Sequence, residues 1–340
     1  MDWRKGTLFL GMILLTPFFI RPIVHGAEKG VTIKMATLAP EGSSWTRAFN
    51  VLNTEVMKKT ENRVRFKIYP GGVLGDELDM LRKLKIGQIQ GAALTSAGLS
   101  TLFGDIDVLQ IPFFFQKYEE VDFILKKMDS SFRKGFEDDG YTLLGWSEAG
   151  FVYLMSTVPI ASVADFRRAK VWIWEESPMS KAILDEIGVK AIPLTVPDVL
   201  VGLQTGLVEV VYAPPSYAIS LQWFTRIRYM NDAPLLYLAG GVLVKKEVFR
   251  QISRQDQSLI LNSFQDHLER SKITTRNENQ EAMKVMTKQG VKLVTSSKDQ
   301  IDEFKRLSNK AISRISSESF SQRVFDEVRS LLEGYRKGEK

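Results

Sequence analysis

Five segments between residues 31 and 95 run strand, helix, strand, helix, strand, and this order constrains the fold more than any other feature of the chain. Val31 to Thr37 reads as a strand, and Ser43 to Thr60 as a helix capped by Ser43 or Ser44. Val64 to Tyr69 alternates as a second strand and stops at the turn Pro70-Gly71-Gly72. Asp76 to Ile86 carries Leu78, Leu81 and Leu84 at helical spacing, and Ile89 to Thr95 reads as a buried strand. Strands that alternate with helices return in the same direction, so the expectation is an α/β fold with a mostly parallel sheet and helices on both faces.

A second unit repeats this grammar. Lys117 to Phe136 is helical, and Thr142 to Trp146 and Phe151 to Ser156 read as two strands flanking Glu148-Ala149-Gly150. Ala169 to Trp174, Val189 to Pro193 and Val208 to Tyr212 read as strands, the last stopped by Pro214-Pro215. Between them lie helices at Pro178 to Ile187 and Thr195 to Leu203, the second with Thr195, Pro197 and Asp198 arranged as a capping box. Residues 254–290 and 298–338 are rich in Glu, Lys, Gln and Ser at helical spacing, which predicts long helices packed on the two units and bridging them. A chain of 340 residues is expected to form two domains. No low-complexity linker separates them, so the chain should cross between lobes more than once and leave a cleft suited to a small ligand.

The first residues stand apart. Arg4 and Lys5 precede an apolar run from Thr7 to Ile20, followed by small residues at Gly26 and Ala27. This is the plan of a secretory signal peptide over residues 1–26, and the run is short for a membrane span. Pro17 and Arg21 weaken the match and keep an uncleaved N-terminal anchor as the alternative. The chain has no cysteine, so it has neither disulfides nor a site for a lipid on an N-terminal cysteine; a free periplasmic protein is expected. The formal charge of +6 falls to +4 without residues 1–26, and no basic run alternates with aromatics, so no nucleic-acid partner is expected.

Catalytic chemistry finds little purchase. The two histidines are His25, in the leader, and His267, on a polar helical face and expected at the surface; they build neither a zinc site nor a base for a nucleophile. No Gly-x-Ser-x-Gly elbow or phosphate loop is present. No cofactor and no metal are expected, and the chain reads as a non-enzyme. Glu175-Glu176 follow a core strand at the expected cleft edge, but adjacent carboxylates point apart and make no acid/base pair.

Four stretches in order carry a resemblance: Tyr69-Pro70-Gly71-Gly72-Val73-Leu74-Gly75, Leu109-Gln110-Ile111-Pro112-Phe113-Phe114-Phe115, Asp165-Phe166-Arg167-Arg168-Ala169-Lys170-Val171, and Gly202-Leu203-Gln204-Thr205-Gly206-Leu207-Val208-Glu209. Together they resemble the extracytoplasmic solute-binding subunit of tripartite ATP-independent periplasmic (TRAP) transporters, of the dicarboxylate-receptor type. The resemblance implies a two-lobed periplasmic-binding-protein fold, type II-like, with a long helix across both lobes. It places lobe I at residues 27–150 plus about 238–272 and lobe II at 151–237 plus about 273–340. It also implies a small-molecule ligand, closure around it, and TRAP permease subunits in the membrane as partners.

The departures from the family pattern point to the ligand. Where relatives carry a carboxylate-binding Arg, this chain has Trp172; a second Arg position is Val152, and a polar Asn position is Ala213. Arg recognises carboxylates through a planar two-donor fork, and each charged hydrogen bond contributes roughly 1.5–3 kcal/mol. Their replacement, with Trp174, Tyr212, Pro214, Tyr217, Phe151 and Glu148 as further cleft candidates, predicts an uncharged or hydrophobic ligand. Phe113 to Phe115 are read as core. The subset of such receptors lacking the arginine also implies a periplasmic tetratricopeptide-repeat partner. Two other readings stay open: an organic-acid receptor using Lys34, Arg47 or Lys170, and a lipid carrier that works without a permease.

Overall fold

A computed structural model describes residues 30–174 and 177–338; the leader, including His25, and Glu175-Glu176 lie outside the described residues. The first unit is built as expected from β1 (Val31–Thr37), α1 (Ser44–Lys59), β2 (Val64–Tyr69), α2 (Glu77–Lys85) and β3 (Gly91–Thr95). β1 pairs in parallel with both β2 and β3. Ser43 caps α1 by accepting from the Thr46 amide, and α1 buries Phe49, Leu52 and Val56 along one face against Ile33, Met35 and Phe66.

α3 (Ser96–Leu102) and α4 (Tyr118–Asp138) lead into β4 (Tyr141–Ser156). The sequence suggested two strands here, but the structure has one 16-residue strand. Register shifts between Leu143 and Gly145 and between Glu148 and Gly150 bulge the ladder without ending it, which is why the glycines read as breaks.

The second unit holds α5 (Val163–Arg168), β5 (Val171–Trp174), α6 (Pro178–Ile187), β6 (Ala191–Leu194), α7 (Val199–Thr205), β7 (Val210–Ala213), α8 (Pro215–Ser220) and β8 (Tyr229–Asn231). β5 is parallel to β6 and β7. The capping box expected at Thr195 does not form: Thr195 bonds the Asp198 side chain at 2.6 Å, and residues 196–198 take a single 3-10 turn before α7. A capping box does form at Ser162 and Asp165 ahead of α5.

The chain then recrosses through β9 (Leu236–Lys245), followed by α9 (Lys246–Phe249), α10 (Arg254–Lys288), β10 (Lys292–Val294), α11 (Lys298–Ser319) and α12 (Gln322–Arg336). The strand order is β2-β1-β3-β9-β4-β7-β5-β6. β9 runs antiparallel between β3 and β4, and the end of β4 runs antiparallel to β7 and β8, so antiparallel strands border the parallel strands of each unit. β4 pairs β9 from Tyr141 to Val152 and then β7 from Tyr153 to Ser156, passing from one unit to the other.

α10, 35 residues long, spans both units. His267 was expected at the surface but is only 13% exposed, its Nε2 lying 2.6 Å from Glu55 Oε2 of α1. Further along, Asn279 accepts from the Ser216 amide of α8 and donates to Ala149 O of β4. α11 packs on α6 through Lys310 and Arg314 to Glu186, and α12 packs on α4 through Arg336 to Glu120.

Gly150 sits at this crossing with φ +108°, and a Cβ there would lie 2.5 Å from Asn279 Nδ2 and 3.0 Å from the Tyr118 hydroxyl. Gly150→Ala is therefore expected to destabilise the protein by about 1–3 kcal/mol in urea unfolding. A Gly145→Ala change, whose Cβ meets the flexible end of Leu268, should cost less.

Candidate functional site

A cavity of about 480 Å³ lies between the two units, where β4 and β9 cross and α10 passes alongside. The first unit contributes the loop after β1, with Leu38, the start of α1 at Trp45, and the end of β3 at Thr95. The second contributes the ends of β5 and β7 and the start of α8. In α/β proteins ligands gather at such strand ends, where loops converge and no sheet neighbour closes the space.

Trp172, Trp174, Tyr212, Ala213, Pro214, Tyr217, Val152 and Glu148 all line the cavity. Trp172 packs against Tyr212 with centroids 4.8 Å apart and the rings tilted by 30°, and meets Trp223 edge-on at 5.5 Å. Its indole N–H donates to Leu194 O at 3.0 Å, so the ring is satisfied and fixed as wall. The Trp174 amide donates to the Tyr212 hydroxyl at 3.4 Å, and Pro214 caps α8 ahead of Tyr217.

Phe151 is the exception. It turns into the core, with its ring 4.8 Å from Tyr118 and 5.7 Å from Tyr237, and is absent from the cavity wall. The bulge between Glu148 and Gly150 shifts the side-chain alternation of β4, so strand position alone misassigned it. Phe115 is core as expected, with Phe113 and Phe114 packed against the same cluster.

Four carboxyl groups, Glu77, Glu148, Glu278 and Glu281, line the cavity, and among the described residues Arg47 is its one basic side chain. Arg47 is exposed and donates to Gly42 O. Of the other proposed bases, Lys34 is exposed on β1, and Lys170 donates to Gly206 O at 2.9 Å; neither lines the cavity.

Glu148 is fully engaged. It accepts from Arg276 Nε at 2.9 Å, Arg276 Nη2 at 2.8 Å and the Tyr237 hydroxyl at 2.9 Å. Burial, together with the Glu148 charge, pushes the Tyr237 phenol well above its ordinary range. Glu281 pairs with Lys284, and Glu278 accepts from Ser44 at 2.7 Å.

Sequence reading missed Glu77. Only 2% exposed, it accepts from the Thr95 amide at 2.6 Å and the Thr95 hydroxyl at 2.8 Å. Burial lifts its carboxyl to about 8, against the pull of those hydrogen bonds, so it is mostly protonated at neutral pH. Nothing at the start of an ordinary amphipathic helix signals a carboxyl aimed at a cavity. Trp45 and Trp223 were missed because a single aromatic residue outside any motif carries no mark of a site.

What the cavity offers a solute is therefore mainly ring and aliphatic wall, with a neutral acid at Glu77, the carboxylates of Glu278 and Glu281, the exposed Arg47 and, among the described residues, no buried guanidinium fork. The family described as DctP, bacterial extracellular solute-binding protein, family 7, matches residues 35–319. The C4-dicarboxylate-binding periplasmic protein DctP of Rhodobacter capsulatus is 22% identical over 287 residues, 84% of each chain. In fold, the chain is similar to the sugar acid binding protein DctPAm of Advenella mimigardefordensis, solved with galactonate (TM-score 0.83, 18% identity, 90% of this chain and 98% of that one). It is also similar to a TRAP periplasmic solute-binding protein of Xanthobacter autotrophicus, solved with β-D-galacturonate (TM-score 0.82, 17% identity, 88% and 99%).

Proposed function

This chain belongs to family 7 of the bacterial extracellular solute-binding proteins, and on that premise we propose that it carries an uncharged or hydrophobic small molecule in the cavity between its lobes. It is a solute receptor of the TRAP type, from a family of non-enzymatic transport components that work with membrane permease subunits. The proposal extends to a mature periplasmic form that has lost residues 1–26 and bears no lipid. We place the lobe boundaries at the crossings in β4 and β9, near residues 150 and 238, and, departing from the expectation that residues 273–340 belong to the second lobe, assign α12 to the first for its contact with α4. A tetratricopeptide-repeat partner belongs to the same proposal and would be sought by co-purification.

One observation carries the reading of the ligand: Trp172 stands in the cavity wall, hydrogen-bonded and packed against Tyr212, where a carboxylate receptor needs an unpaired guanidinium. An anion buried there would lose its hydration with no fork to replace it. Native mass spectrometry of gently purified protein is expected to find a neutral, mainly apolar molecule. A bound dicarboxylate or sugar acid would sink the proposal. Calorimetry should likewise give no heat with galactonate or a C4-dicarboxylate for the wild type.

A second reading has one observation in its favour. Arg47 does line the cavity, and the two structures named above were solved with sugar acids. If Arg47 held an organic acid, the wild type would bind it and Arg47→Gln would abolish the heat.

A further inference from the structure

We propose that Asp76 is a positioning residue that sets the Trp174 ring in the cavity wall from the opposite lobe, so that the wall is complete only when the cleft is shut. This rests on the receptor reading above and deepens it by naming a group through which closure and wall assembly are coupled.

Asp76 precedes α2 in the first lobe and is 5% exposed. Its Oδ1 accepts from the Glu77 amide at 2.7 Å and so caps α2. Its Oδ2 reaches across the cleft, accepting from the Trp174 indole N–H at 3.1 Å and from the Val196 amide at 3.0 Å. Trp174 and Val196 belong to the second lobe, and both line the cavity; Asp76 does not.

The turn before Asp76 is built for this reach. Gly71, Gly72 and Gly75 all have positive φ, and a Cβ on Gly75 would fall within 2.3 Å of Asp79 Oδ2. The position a Gly72 Cβ would take lies 3.9 Å from Pro197, so the turn itself abuts the second-lobe turn that presents Val196.

The energetics follow from the donors. One carboxylate holds three N–H groups, and charge-assisted bonds are roughly twice as strong as neutral ones. Parting the lobes removes two of the three and frees the Trp174 ring to change rotamer. Cap and latch use different oxygens of the same side chain, which makes them separable by substitution.

The test is Asp76→Asn in the full chain. The Asn Oδ1 preserves the α2 cap, but its amide then points N–H groups at the two N–H donors of the other lobe. Asp76→Ser, which caps without reaching across, is the second variant. Because the chain has no cysteine, spin labels go cleanly onto Val51→Cys and Val201→Cys, positions that are 60% and 58% exposed in α1 and α7.

Interlobe distances from these labels are expected to shift the closed-to-open ratio by about tenfold to a hundredfold in both variants. The indole N–H resonance of Trp174, assigned through Trp174→Phe, should move. Adding Asp76→Asn to Trp174→Phe should do less than it does alone. Unchanged distances and an unmoved indole resonance overturn the proposal, even if the melting temperature falls, since that would leave only a helix cap. Native mass spectrometry of the same samples separates the two readings. Absence of solute from the wild type, with distances still shifting, removes the receptor reading and spares the latch. Full solute retention with unshifted distances does the opposite.

Discussion

Arg276→Met is expected to lower the free energy of unfolding by about 3–5 kcal/mol, because it strands a buried carboxylate at the point where the chain crosses between lobes. Arg276, on α10, donates to Asp122 of α4 through Nη1 at 2.8 Å and Nη2 at 2.6 Å, and to Glu148 of β4 through Nε and Nη2. Its guanidinium also lies 4.3 Å from the centroid of the Tyr118 ring. The Glu148 side chain is fully buried, while that of Asp122 is 42% exposed, so the loss should fall almost wholly on Glu148. Without Arg276, the one side-chain hydrogen bond left to the Glu148 carboxylate among the described residues is that from Tyr237. A pair removed as a whole costs far less than one partner removed. Arg276→Met combined with Glu148→Gln should therefore recover much of the loss in urea unfolding. Strictly additive costs would show that the contact is not coupled.

The α/β units and the long helix across them were legible in the sequence, whereas the strand β9 that joins them was not. β1, α1, β2 and α2 were found to within about a residue, since alternation and helical spacing survive wherever one face of an element meets solvent. β9 went unread because it runs between β3 and β4 and buries Ala239 to Val244 without a break, so it has no polar face and no period. The bulge that joined two expected strands into β4 also turned Phe151 inward. For the site, resemblance found Trp172, Val152 and Ala213 through departures from a pattern. The Asp76 contact joins residues 98 and 120 positions apart, and no local rule of spacing reaches that far. Glu77 escaped for another reason: its chemistry comes from burial without a cation, a property of the folded cavity and not of its neighbours in the chain.

That burial has a measurable consequence in pH. The Glu77 carboxyl ordinarily titrates at 4.5 and is raised to about 8, first by desolvation and further by the neighbouring Asp76, with the Thr95 and Gly98 amides pulling it down. A carboxyl raised on folding is favoured in its protonated form. Its contribution is whole below pH 4.5 and drains away as the pH climbs to about 8, at about 1.4 kcal/mol per pH unit. Asp107, raised by burial to about 6, adds a smaller loss of the same sign, and Glu55, held at about 2 by Lys59 and His267, acts only below pH 4.5, where its contribution is lost as the pH falls to about 2. Glu77→Gln mimics the neutral acid and isolates the term: its Oε1 can accept from the Thr95 amide while its amide donates to the Thr95 hydroxyl. Between pH 4.5 and 9 the variant is expected to gain roughly 3–5 kcal/mol on the wild type in urea unfolding. Parallel curves for the two proteins would mean that Glu77 is ionised in the fold, and that the α3 amides outweigh its burial. The cavity wall would then carry a buried negative charge at Glu77 beside the carboxylates of Glu278 and Glu281.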